Sequence, residues 1–193
     1  CQVYNNSISN DDWDLIGRRV DNTGAVATGS FISNLAVGTP TLHQLGPVVE
    51  GQGGRYAVVF TTADTAVINF KTGLITGYDL YTERFDWANT ASSPTVKPAV
   101  FMRGNTTRIW ESTGCAYDTN DDSHWAIGFR AVSPGTPTAY YGVVGYNGRA
   151  TQGPVGTILY SVSTDTPTEV ACTYNNDTGN FHFAYGVDDG TAT

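Results

Sequence analysis

Lysine is almost missing from this chain: Lys71 and Lys97 are the only two in 193 residues. Glutamate occurs four times, leucine seven times and methionine once. These are strong helix formers, and a chain so poor in them is not built as a helical bundle, a coiled coil or a doubly wound α/β enzyme. Charged residues make up 15% of the chain, against about 25% in an ordinary soluble domain. The balance is acidic, 18 Asp and Glu against 10 Lys and Arg, so the clustered basic surface that nucleic acid requires is excluded. No run approaches the roughly 18 apolar residues needed for a membrane span. The three cysteines, Cys1, Cys115 and Cys172, have no CxxC spacing, which argues against a zinc site and leaves at least one thiol unpaired within the chain.

What is abundant points one way. Threonine (27), glycine (22) and tyrosine (11) favour strands joined by tight turns. The acids are mostly Asp beside Asn and Gly, the composition of solvated turns. Scarce lysine, plentiful Thr, Ser, Asn and Gly, and Asn-x-Ser/Thr sequons at Asn5, Asn105 and Asn176 fit an extracellular or cell-surface protein. The chain opens on Cys1, as a mature or excised product would. Gln2-Val3-Tyr4 enters a strand pattern at once, whereas a lipidated cysteine is usually followed by a flexible tether.

One signature recurs. Cys115-Ala116-Tyr117 leads through an Asp/Asn-rich turn into His124-Trp125-Ala126-Ile127-Gly128-Phe129. Cys172-Thr173-Tyr174 leads through a similar turn into Phe181-His182-Phe183-Ala184-Tyr185. Pro47-Val48-Val49-Glu50 leads through Gly51–Gly54 into Arg55-Tyr56-Ala57-Val58-Val59-Phe60. Each reads as strand, polar hairpin turn and aromatic-rich strand. A second part follows downstream: Trp13-Asp14-Leu15 through Asp21 is matched by Tyr78-Asp79-Leu80 through Asp86, and more weakly by Ala139–Gly148. Together they give four short antiparallel strands per unit, a sheet that needs neighbours to bury its faces. The expected single all-β repeat domain holds units at about 38–97 and 98–160. A third unit, 161–193, is completed by 1–37, so it is split between the C- and N-termini.

The stretches Tyr56–Phe60 with Tyr78–Asp86, and Asp12–Gly24, resemble the blade repeats of secreted bacterial and archaeal β-propeller-like proteins. Those repeats run Tyr-Leu-Val-Val-Trp, then Asp-Ile-Tyr-Gly-Gln-Arg-Val-Asp-x-x-Gly. The resemblance implies a β-propeller-like fold in a large extracellular or surface protein. The matching positions are structural, and none is catalytic.

Candidate chemistry is sparse. Asp118, Asn120 and Asp122 have the alternate spacing of oxygen ligands for Ca2+, set against the plain need for Asx residues in a hairpin turn. No other cofactor is expected. Glu83 and Glu111 are the only carboxylate pair suited to a β-jelly-roll glycoside hydrolase. Glu83 aligns with Arg18, so its slot is expected to face solvent. His43, His124 and His182 read as polar-face residues. Trp87 and Trp110 lie outside the repeat frame and are the candidates for stacking on sugar rings, whereas Trp13 and Trp125 align with core aromatics. Cys115 and Cys172 occupy equivalent places and are expected to be buried, either as free thiols or as a disulfide.

These readings favour a non-enzymatic, extracellular structural or adhesive repeat protein. Its partners are other copies of itself, joined by strand or blade complementation in a ring or filament. The alternatives are a lectin-like module binding glycans and, second, the glycosidase.

Overall fold

The computed structural model describes residues 2–5, 12–32, 42–64, 68–69, 74–75, 79–88, 91–103, 109–120, 124–132, 138–145, 157–161 and 166–190. Within them the chain is all-β and antiparallel, with no helix. Strands β1 (Gln2–Asn5), β2 (Asp12–Gly17) and β3 (Phe31–Ile32) form a sheet in that order. Next come β4 (Leu42–Gln52) and β5 (Arg55–Asp64), then a small separate hairpin of β6 (Ile68–Asn69) and β7 (Leu74–Ile75). β8 (Asp79–Asp86), β9 (Thr95–Val96) and β10 (Val100–Arg103) follow. They join β4 and β5 in a sheet of order β10-β8-β5-β4, with β9 also on β8. β11 (Ile109–Tyr117), β12 (His124–Val132), β13 (Thr138–Gly145) and β14 (Thr157–Ser161) form a four-stranded meander. β15 (Thr166–Asn175) and β16 (Asn180–Asp188) close the chain as a two-stranded sheet.

The hairpin turns follow from local chemistry. Gly53 and Gly54 between β4 and β5, and Gly179 between β15 and β16, have φ of 63°, 85° and 68°. A side chain there would be strained, which is why glycine sits at these corners. Asn175 Oδ1 accepts from the amides of Asp177 and Thr178, holding the last turn.

The sheets stack in a row: β2 packs on β4, β4 on β11, and β11 and β12 on β15. The β4–β5–β8 sheet is therefore covered on both faces. Val58, Phe60 and Phe85 turn toward Leu15 and Trp87. Ala57, Val59 and Leu80 turn toward Cys115, Tyr117, Trp125, Ile127 and Phe129. Trp125, Phe60 and Phe129 have no exposed surface. An aromatic of this kind buries about 150–250 Å², a gross gain of roughly 4–6 kcal/mol at about 25 cal/mol per Å².

Two expectations change. No unit is split between the termini among the described residues: β15–β16 lies against β11 and β12, whereas β1–β3 lies at the other end of the row. The reason is local, since β1 pairs with β2 from Gln2↔Leu15 to Asn5↔Asp12 and takes the edge that a split unit reserved for β16. Beyond the expected break at 97/98, the strand Val100–Arg103 pairs back onto β8, with Val100 opposite Thr82. No sheet closes on itself among the described residues.

Candidate functional site

Among the described residues the terminal hairpin, like the N-terminal sheet at the other end of the row, has no sheet packed on its outer side. Its register sets Val170 opposite Tyr185, Cys172 opposite Phe183 and Tyr174 opposite Phe181. Directly opposed residues share a face, so these six form the inner face. Val170 is fully buried, and the rings of Phe183 and Tyr141 sit 4.8 Å apart across the seam. The receiving surface on β11–β12 is made of small residues, Gly114 opposite Gly128 and Ala116 opposite Ala126. A Cβ built on Gly114 would stand 2.7 Å from Val170 O and 3.0 Å from Ala171 Cα. Only glycine permits this approach.

The outer face of the hairpin consists of Ala171 opposite Ala184 and Thr173 opposite His182. All four are exposed. The registers make these residues the equivalents of the receiving surface: Cys115↔Ile127 and Tyr117↔Trp125 in one hairpin match Cys172↔Phe183 and Tyr174↔Phe181 in the other. Gly114 and Gly128 therefore correspond to Ala171 and Ala184. The outer face at the end of the row thus holds the same register as the surface that receives β15, with Ala171 and Ala184 in place of the two glycines and Thr173 and His182 in place of Ala116 and Ala126. The Cys-x-Tyr repeat carried that signal in the sequence, but the alternation of faces emerges only once the pairing is known. The β16 edge away from β15 has no strand on it among the described residues.

The residues singled out from the sequence do not gather at one place. Trp87 is a core residue, 3% exposed, and this corrects its reading as an exposed sugar platform. Its indole N–H donates to Ala91 O at 3.1 Å, Phe85 meets it edge-on, and the Arg19 guanidinium lies 5.3 Å above the ring. Trp110 pairs through its backbone with Ala131 in β11, and its side chain lies outside the described residues, as does that of Glu111.

Glu83 is also corrected. It is 1% exposed, opposite Val58 on the face turned toward the N-terminal sheet. Its aligned partner Arg18 stands past the end of β2, where the strand has stopped and the side chain is free to face solvent. The alignment compared a strand interior with a loop. His43 is likewise fully buried, while His124 is half-buried and His182 exposed.

Asp118 is engaged as a turn residue. Its amide donates to His124 O, and its Oδ1 accepts from the Asn120 amide at 2.9 Å. Asp122 lies outside the described residues. Among the described residues no three His, Cys, Asp or Glu side chains gather as a metal-holding group. The neighbouring turn is tied to the terminal hairpin: Thr119 donates its hydroxyl to Asn176 Oδ1, and Asn120 Nδ2 donates to Asn176 O at 3.1 Å. Asn176 is exposed; Asn5 is in β1 opposite Asp12, and Asn105 lies outside the described residues.

Cys115 and Cys172 are free thiols. Cys115 shares the face of Ile127 and Trp125, whereas Cys172 approaches the opposite face and donates its S–H to Ala126 O at 3.5 Å. Thiols on opposite faces of one sheet are not placed to bond each other, which removes the disulfide pairing. Burial pushes the Cys172 thiol up to about 11. Burial first, then the nearby Cys172 and Glu50, pushes Cys115 well above its ordinary value. Cys1 lies outside the described residues.

Among the described residues no helix is long and apolar enough to cross a membrane. Comparison with protein-family models, with curated proteins and with solved structures finds no match.

Proposed function

We propose that this chain is a non-enzymatic, extracellular structural or adhesive repeat protein whose partner is a second copy of itself. The observation that carries the reading is the open terminal sheet. The five-stranded and four-stranded sheets in the row are covered by neighbours, while β15–β16 keeps an outer face in the same register as one that receives a sheet inside the chain. Its β16 edge presents backbone groups able to accept another strand. A copy added there makes a head-to-tail contact, which closes into a ring if the rotation permits and grows as a filament otherwise. A five-stranded and a four-stranded antiparallel sheet in succession support the blade-like reading. The acidic, lysine-poor, Thr- and Asn-rich composition supports a place outside the cell.

The lectin reading loses Trp87 to the core, and the glycosidase reading loses Glu83 to the interior of a sheet stack. The test is the light-scattering mass of the native chain across a concentration series, beside the double variant Thr173→Arg, Ala184→Arg. Both positions are exposed, so the variant is expected to fold, which its circular dichroism spectrum checks. The native chain is expected to gain mass with concentration and the variant to remain monomeric. A native chain that stays monomeric throughout refutes the proposal, and so does a variant that associates as the native chain does.

A further inference from the structure

At the opposite end of the row, between the end of β2 and the β4–β5–β8 sheet, lies a cleft of about 350 Å³. Its floor is apolar and aromatic. Val58, Phe85 and Trp87 are buried there, and Tyr56 stacks on Phe85 with centroids 5.0 Å apart. Val20 and Val49 stand at its mouth, each 57% exposed, so apolar surface is left facing water on both sides of the opening.

Glu83, opposite Val58 on this sheet face, and Asp21, next to Val20, lie near the cleft but not in its lining. The lining contains Arg18 and Arg19 and no carboxylate, in a protein of net charge −8. Arg18 Nη1 donates to Thr28 O at 3.1 Å and Gly29 O at 3.3 Å. Arg19 donates to Ala88 O at 2.9 Å and Ala91 O at 3.4 Å, and its guanidinium covers the Trp87 ring. These partners are carbonyls and an aromatic face. They orient the two cations without neutralising either.

We propose that the cleft binds a small amphiphilic anion. An aryl or alkyl group occupies the aromatic floor, and a carboxylate or sulfonate meets the exposed Arg18, with Arg19 adding to the positive field. The volume lies at the small end of the range for small-molecule sites. A neutral sugar is a poor fit, because its hydroxyls would be desolvated against a lining with few polar side chains.

The experiment is a fluorescence titration of the full chain with anilinonaphthalene sulfonate, beside its uncharged analogue phenylnaphthylamine. One saturable site is expected, with the sulfonate bound about tenfold or more tightly than the neutral dye, as a charge-assisted hydrogen bond supplies. Val49→Glu, at an exposed position, sets a carboxylate at the mouth and lowers sulfonate affinity about tenfold by like-charge repulsion. Arg18→Gln does the same by removing the cation. Octanoate and naphthoate then compete for the site, and the stronger competitor identifies the ligand as alkyl or aryl. Equal affinity for the two dyes, unchanged binding in both variants, or displacement by neither competitor overturns the proposal.

Discussion

Gly114→Ala adds one methyl group at the seam that holds the terminal hairpin. The new Cβ would stand 2.7 Å from Val170 O, 3.0 Å from Ala171 Cα and 3.0 Å from Cys172 N. All three neighbours are backbone atoms, so no rotamer change relieves the clash and β15 itself must move. Overpacking of this kind costs about 1–3 kcal/mol, and a backbone neighbour places it near the top of that range. Alanine recovers about 0.5–1 kcal/mol over glycine in a strand. The net is about 2 kcal/mol, roughly a 30-fold loss in the docking equilibrium of the hairpin. Native-state hydrogen exchange reads this directly: amides of β15 and β16 should lose about 30-fold in protection while those of β5 keep theirs. Gly128→Ala is the comparison. Its Cβ would meet Val170 Cγ1 at 2.5 Å and Val170 Cβ and O at 3.2 Å; the one severe contact is to a side-chain atom and not to backbone, so the loss should be smaller. Hairpin protection unchanged in Gly114→Ala, or lost equally in β5, refutes glycine-dependent docking.

Two further outcomes follow from buried groups. Cys172 ionises at about 11 when folded, against 9.0 for an ordinary thiol; unfolding therefore releases a proton between those values, and stability falls as pH rises through that window. Thermal melts across it should show a shallower decline in Cys172→Ala than in the native chain, and an identical slope would contradict a buried neutral thiol. Trp87→Ala should cost about 3–5 kcal/mol in chemical denaturation, because it empties a core site and removes the hydrogen bond to Ala91 and the ring beneath Arg19. A loss under about 1 kcal/mol would return Trp87 to the surface.

The strand order around Pro47–Phe60, Cys115–Phe129 and Cys172–Tyr185 was legible because each segment carries its own evidence. Apolar runs flank a Gly- or Asn/Asp-rich turn, and the hairpins form where that chemistry places them. The burial of Glu83 and Trp87 was not legible, since it depends on a sheet supplied by residues 2–32. Local patterning reveals which side chains share a face, but not whether a distant segment covers it. Cys115 and Cys172 show the same limit. Their equivalent spacing correctly suggested equivalent places, yet equivalent places in stacked sheets put the thiols on opposite sides of β11–β12. The open outer face of the terminal hairpin was encoded by the Cys-x-Tyr repeat and became readable only through the register.

The central claim is that β16 is an acceptor edge for another copy, and hydrogen exchange on the intact chain at low and high protein concentration tests it most directly. Every second amide of β16 points away from β15, as antiparallel pairing requires. These outward amides should exchange freely in dilute solution and become protected as concentration rises, while the amides bonded to β15 change little. Outward amides that exchange at the same fast rate at every concentration would contradict the account.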